Sequence, residues 1–283
     1  MAPRVVVVGD AGVDVLVEPA VPAVTGADVP ARIRATPGGA GANTAVWLAH
    51  LGAEAVLAAR VGADGAGRAV ATHLLTAGVE PVLAVDGDHP TCTVVVLLGD
   101  VGEGERTMLS DRGAASRLVP ADLPDLTGAD HLHVSGYVLL DPSSRPAGLA
   151  ALAAARDIGL TTSVDPQAAP ALGPDFLGWV KDVDLLLPNA AELAALGGPD
   201  AVLAHVGAVA VTDGPRGAQW LEDGLGWAVP APAVEAVDPT GAGDAFDAGL
   251  LVTWLRGASP EEALRAGCAA GAAAVTRRGA RPR

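Results

Sequence analysis

The chain has 283 residues, half of them hydrophobic, and a formal net charge of −15. That apolar content supplies a sizeable core and excludes disorder, and the negative charge excludes nucleic acid and anionic membrane as partners. Two cysteines in a chain of this length exclude a disulfide framework, and Lys181, the only lysine, cannot build a Walker A loop or a protein-kinase lysine site.

In chain order, Val5–Gly9 is a β-branched run, the pattern of a strand buried on both faces of a parallel sheet. It is too short for a signal peptide, and no apolar run approaches a membrane span, so a soluble, cytoplasmic protein is expected. The strand leads into Gly9-Asp10-Ala11-Gly12-Val13-Asp14. Polar residues just past such a strand commonly face a ligand, and Asp14 is a candidate. Residues 15–36 carry Pro19, Pro22 and Pro30, with Val29–Ala35 as an edge strand. Gly38-Gly39-Ala40-Gly41-Ala42-Asn43-Thr44-Ala45 follows. Gly39–Leu51 reads as a helix, Ala55–Arg60 as a strand and Ala66–Ala77 as a helix ending at Gly78. Thr91–Leu98 is strongly β-forming and pairs with Glu105–Ser110 across the turn Gly99–Gly104. Arg112 comes next, suited either to an anion or to the surface.

From His131 strands and helices alternate. Strands are expected at His131–Ser135, Leu160–Val164, Leu185–Leu187 and Ala208–Thr212. Helices are expected at Ser143–Asp157, Asp175–Val183 and Ala190–Leu196. That alternation implies a parallel sheet covered on both faces. His131 and His133 alternate like a metal pair, but no third ligand is nearby and they read as structural. Asn189 and Glu192 open a helix with capping-box spacing. Thr212-Asp213-Gly214-Pro215-Arg216-Gly217 is a glycine loop, and Trp220–Glu222 with Gly226–Val229 form a hairpin.

The stretch Asp238-Pro239-Thr240-Gly241-Ala242-Gly243-Asp244 is a turn that becomes a helix. Phe246, Leu250, Leu251, Trp254 and Leu255 recur there at helical spacing. A small-residue turn opening a helix presents unpaired N–H groups and a positive dipole end, which is an anion site. A carboxylate beside bound phosphate is repelled unless it has work, such as taking a proton from an attacking hydroxyl. Asp244 holds that position. Ala263–Arg277 is a small-residue helix.

The stretches around Asn43 and Asp244, in this order, resemble the two signature motifs of the ribokinase-like carbohydrate kinases, the PfkB family. The likeness runs from Val5 to about Pro282. It implies an α/β fold of three layers, α/β/α, with a mostly parallel central sheet and a small β-sheet lid. Residues 1–283 are then one kinase domain, with lid segments inserted at about 15–36 and 91–110. It further implies ATP as donor, Mg²⁺ as cofactor, and a hydroxyl of a small sugar or sugar-derived substrate as acceptor. On that likeness Asp244 is the general base, and Gly241, Ala242 and Gly243 complete the anion hole. Asp14, Gly38, Gly39, Asn43 and Arg112 meet the acceptor. Asn189, Glu192, Thr212, Gly214, Gly217 and Thr240 meet the nucleotide, and Glu192 steers Mg²⁺ through water. Gly271 and the alanines 272–274 leave room for adenine. Asp238 and the Thr240 carbonyl match part of the family's monovalent-cation site. The family's serine ligand falls near Arg283, which leaves K⁺ open. Relatives usually carry a further helix past that point. The lid often joins subunits, so a homodimer is expected. Ala40 stands where ribokinases carry lysine, and Gly12 where the family often has asparagine, so no particular sugar is named. Two other readings are a nucleoside (adenosine-like) kinase of the same fold and a non-catalytic sugar or nucleotide sensor. Two Phe and one Tyr leave few rings to stack a base, and retention of Asp244, Gly241, Gly243 and Asn43 opposes the sensor.

Overall fold

The computed structural model describes residues 1–22, 26–98 and 106–282. The expected turn Gly99–Gly104 and Arg283 lie outside the described residues. The chain opens with β1 (Arg4–Val8), β2 (Gly12–Pro19), β3 (Ala31–Gly38), helix α1 (Ala40–His50), β4 (Glu54–Gly62) and α2 (Gly65–Thr76). β5 (Glu80–Asp86), β6 (Cys92–Leu98) and β7 (Arg106–Asp111) follow. The second half runs β8 (His131–Ser135), α3 (Gly136–Leu140), α4 (Arg145–Asp157), β9 (Thr161–Asp165), α5 (Phe176–Trp179), β10 (Leu185–Leu186), α6 (Ala190–Ala195) and α7 (Pro199–Leu203). It ends β11 (Ala208–Thr212), β12 (Ala218–Glu222), β13 (Leu225–Val229), α8 (Ala242–Leu255) and α9 (Pro260–Val275).

The large sheet has the order β13-β12-β11-β10-β9-β8-β1-β4-β5. It is parallel from β11 to β5, and the β12–β13 hairpin extends it antiparallel. Successive side chains of a strand point to opposite faces, so the valines of β1 divide. Val5 and Val7 join a core with residues of α1, α2, α8 and α9. Val6 and Val8 join the other core, with residues of α4 to α7. Helices thus cover both faces, which gives three layers. No helix among the described residues is long and apolar enough to cross a membrane.

The second sheet has the order β3-β2-β6-β7. Its strands leave and rejoin the body at Asp10, Gly39, Thr91 and Arg112. Asp64 holds one of these joints: it caps α2 through the Gly67 N–H at 2.7 Å and accepts the Thr91 N–H at 2.8 Å.

Several elements depart from the periodicity reading, and α3 and α7 have no counterpart in it. β5 has no counterpart in that reading, because Pro81 argues against a central strand; the structure puts it at the sheet edge, where proline is tolerated. The helix expected over Asp175–Val183 is one turn, Phe176–Trp179, and the chain reverses at Asp182 with φ 64°. The helix expected from Ala245 starts at Ala242, within the small-residue turn.

The first turn of α1 is pressed onto the end of β1. A Cβ at Gly41 would lie 2.6 Å from the Gly9 Cα. Gly41→Ala should therefore force α1 away from β1, and overpacking of this kind costs about 1–3 kcal/mol. A lower urea midpoint with an unchanged slope is the expected result.

Candidate active site

A cavity of about 430 Å³ lies between the small sheet and the carboxyl ends of the central parallel strands. Among the expected site residues, Asp14, Gly39, Asn43, Arg112, Asn189, Glu192 and Thr212 line it. So does the run from Thr240 through Gly241, Ala242 and Gly243 to Asp244. Residues more than 200 positions apart in sequence thus meet: Asn43 Nδ2 donates to Asp244 Oδ2 at 2.9 Å, across a separation of 201.

The turn before α8 opens onto the cavity. Gly241 adopts φ 76° and its carbonyl accepts the Ala245 N–H. The Ala242 N–H donates to the Pro239 carbonyl at 3.3 Å, so it is engaged within the protein. That leaves Gly243 and Asp244 to offer N–H groups in a first turn that has no intrahelical acceptors for them. A Cβ at Gly243 would meet no protein atom within 4 Å, so the space beside it is open.

Asp244 is buried, and its carboxyl is pushed up to about 7. Burial is the chief cause; the Asn43 hydrogen bond and the Arg281 charge oppose it, while Asp10 and Asp14 add to it. A carboxyl that titrates near neutrality suits proton abstraction from a hydroxyl. Asp14 sits on β2, within the small sheet, and not in the turn after β1 as the sequence reading has it. Burial raises its carboxyl to about 6, with Asp10 adding to the effect. Gly38 lies outside the cavity lining but against Asp14, where a Cβ would come 2.3 Å from a carboxylate oxygen. Arg112 is no surface residue: it pairs with Asp10 at 3.1 Å and lies over the Tyr137 ring at 4.4 Å.

Asn189 and Glu192 form the capping box and also face the cavity. The Glu192 N–H donates to Asn189 Oδ1 at 2.9 Å and the Asn189 N–H to Glu192 Oε2 at 2.8 Å. Burial raises the Glu192 carboxyl above its usual range. Asp238 accepts the Thr240 N–H through one oxygen and the Gly279 N–H through the other, each at 2.9 Å. A monovalent cation there would share a carboxylate that already binds the chain together.

Two glycine expectations change. Gly217 borders a neighbouring hollow of about 580 Å³ with Asp213 and Arg216, and Gly214 lines neither space. Gly217 is required by its own backbone, since a Cβ would lie 2.0 Å from the Val229 carbonyl. Gly271 packs on α8, where a Cβ would lie 3.1 Å from the Ala242 carbonyl. His131 and His133 belong to no group of three or more His, Cys, Asp or Glu among the described residues that could hold a metal. Both share the Ser163 hydroxyl, at 2.7 and 2.8 Å, and burial lowers them to about 3 and about 4.

With the geometry in place, comparison with known proteins is decisive. A profile of the pfkB family carbohydrate kinases matches residues 2–283. The chain belongs to this family. A fructokinase of Klebsiella pneumoniae is 34% identical over 98% of this chain and 94% of its own length. The ATP-dependent ribose-1-phosphate kinase of Halopiger xanaduensis is 34% identical over 88% of this chain and 83% of its own. The crystal structure of a fructokinase from Vibrio cholerae O395, bound to fructose, ADP and calcium ion, superposes with a TM-score of 0.83 at 30% identity, covering 98% and 94% of the two chains. The protein is thus an ATP-dependent carbohydrate kinase of ribokinase-like fold.

The residues of the kinase cavity and its wall that sequence reasoning missed include Asp165, Gln167, Asp247 and Arg281. Asp165 ends β9, so the rule that selected Asp14 finds it too. Asp247 lies three residues after Asp244, on the same face of α8. Gln167 has a left-handed backbone, φ 58°, and its amide donates to Asp165. Nothing in the sequence points to Arg281.

Asp165 and Asp247 are buried against each other and hydrogen-bonded. Burial raises both carboxyls well above the usual range; Glu192 and Asp244 add to the rise at Asp165, and Asp165 itself, with Asp244 and Glu192, adds to it at Asp247. A raised carboxyl favours the folded state most at low pH, and that contribution is lost as pH rises through the folded value. Asp247→Asn supplies an amide donor in place of the shared proton. Its melting temperature relative to wild type should therefore be higher at pH 8 than at pH 5, and an offset independent of pH would contradict the pairing.

Proposed function

We propose that this kinase transfers the γ-phosphate of ATP to a hydroxyl of a small, uncharged sugar, with fructose as the leading candidate and Asp244 as the base. The single observation that carries the reading is the buried Asp244 carboxyl, raised to about 7, beside an open helix start. The fructokinases among the relatives support the choice of sugar. Tyr137 is the one aromatic residue lining the cavity among the described residues, and Arg112 covers its ring. That leaves no platform for a base, which favours a sugar over a nucleoside.

In the proposed reaction the acceptor hydroxyl attacks the γ-phosphorus as its proton passes to Asp244, and the bond to the departing ADP breaks. The N–H groups of Gly243 and Asp244 hold the charge that moves onto the phosphoryl oxygens. Asp14 and Asn43 orient the acceptor hydroxyls, next to Gly39, and Arg112 fixes Asp10 at the cavity edge. Thr212 and Thr240 border the nucleotide side, with Gly214 and Gly217 in the adjoining loop. No three acidic, His or Cys side chains among the described residues cluster tightly enough to hold a metal. The residues therefore fit a Mg²⁺ carried chiefly by the nucleotide, with Asn189 and Glu192 reaching it through water. When bound, it would neutralise charge on the phosphate oxygens. A panel of D-fructose, D-ribose and adenosine, assayed for ADP release, tests the substrate class. Asp244→Asn should lower kcat by roughly 10²–10⁴-fold, the contribution of a positioned base, with ATP affinity held or tightened. Full turnover by this variant would place the base elsewhere.

Residues 1–283 act in this reading as one cytoplasmic catalytic domain with the small sheet as its lid, and the lid also joins two copies. Directly paired residues share a face of a sheet. Asp14, Val94, Val96, Met108 and Ser110 face the cavity. The opposite face carries Val15, Val17, Ile33, Val95, Leu97 and Leu109. Ile33 is 64% exposed and Leu109 55% exposed. A contiguous aliphatic sheet face of this kind marks an interaction surface. Leu109→Glu should convert a dimer to a monomer in light scattering. A wild-type chain that is monomeric at micromolar concentration would rule the interface out.

A further inference from the structure

We infer that Arg281 is a positioning residue: it fixes the Asn43 carboxamide so that its NH2 group addresses Asp244. The inference rests on the reading of Asp244 as the base. Arg281 Nε donates to Asn43 Oδ1 at 2.8 Å, and Nη2 donates to the Gly38 carbonyl at 2.8 Å. A guanidinium has donors and no acceptor. Asn43 must therefore turn its oxygen toward Arg281, which leaves its NH2 for Asp244 Oδ2 at 2.9 Å. The reversed amide would set NH2 against the guanidinium and oxygen against the carboxylate, losing both bonds.

The arginine is delivered by a tied segment. Trp47 Nε1 donates to the Ala280 carbonyl at 2.8 Å, and the Gly279 N–H reaches Asp238. The third nitrogen, Nη1, is buried and has no hydrogen-bond acceptor. Among the described residues no carboxylate pairs with this cation by direct contact, and its charge acts at longer range on Asp14, Asp244 and Asp10.

Asp244 faces charged or titratable groups from every side. They are Asp10 after β1, Asp14 on β2, Tyr137 on α3, Asp165 on β9, Glu192 on α6 and Asp247 on α8, with Arg112 tied to Asp10. The nearby carboxylates oppose ionisation of Asp244, and Arg281 favours it. Removing Arg281 takes away that charge and frees Asn43 to present its oxygen, which favours the protonated base. Both effects act in the same direction.

The test is the pH dependence of kcat/KM, which reports the free enzyme. It uses MgATP with whichever of D-fructose, D-ribose and adenosine supports turnover. Wild type should lose activity on the acid side with a midpoint about 7. Arg281→Gln keeps a polar side chain and removes the charge. Its acid limb should move up by about one pH unit, a loss of about fivefold at pH 7 that approaches tenfold below about pH 6 and closes toward pH 9. Arg281→Lys keeps the charge and loses the planar fork, so its limb should stay while the acceptor KM rises. The inference is overturned by an unmoved limb in Arg281→Gln, or by a loss of equal size at every pH. An acceptor KM that stays at the wild-type value in Arg281→Lys also overturns it, and this variant carries the test if the glutamine variant fails to fold. Asp244→Asn separates the two readings. Full turnover in that variant removes the base assignment, whereas an inactive Asp244→Asn with an unmoved Arg281→Gln limb removes only the role of Arg281.

Discussion

Charge crowding is the constraint on which this site depends. Asp10, Asp14, Asp165, Glu192, Asp244 and Asp247 all line one cavity. Like charges in a low-dielectric space cannot all be ionised together. The structure relieves the repulsion in two ways. Arg112 and Arg281 bring positive charge, the first in direct contact with Asp10 and the second through Asn43. The remaining carboxyls move upward: Asp165 and Asp247 rise well above the usual carboxylate range, and Asp244 reaches about 7. For Asp244 burial is the larger cause of that rise, and the neighbouring Asp10 and Asp14 add to it.

The fold decides where the crowding occurs. Parallel strands all end on one edge, and β1, β9 and β11 bring Asp10, Asp165 and Thr212 to it. α1 and α8 start at the same edge, so their small-residue first turns meet there. Close approach needs residues without side chains at the contacts, and Gly41 on Gly9 is such a contact. The small sheet grows out of the loops beside Asp10 and Arg112. Its strands add Asp14 and the aliphatic side chains Val94, Val96 and Met108 to the cavity wall. Movement of that sheet would carry Asp14 with it, while Asp10 stays on the body.

Much of this was legible in the residues. The alternation from His131 onward set the parallel sheet, because a strand buried on both faces and an amphipathic helix have different periods. The helix at Ala190 was legible because Asn189 and Glu192 cap locally. β5 was not, because Pro81 hides an edge strand. Asp14 was found as a residue but placed in the wrong element, since a glycine-rich turn and a strand that departs from it look alike at Gly12. The small residues of α9 suited either a ligand or a helix contact, and packing against α8 uses Gly271 for contact.

The sequence by itself determined the class of fold and the small-residue turn at Gly241–Asp244 that opens α8, because both follow from local periodicity and local backbone freedom. Only the tertiary structure decided which charges share a cavity. Asn43 and Asp244 are 201 positions apart, and Arg281 is 238 from Asn43. Nothing in the spacing of such residues encodes their contact. Burial and the field of distant neighbours set the protonation of a carboxyl, and both exist only once the chain has folded.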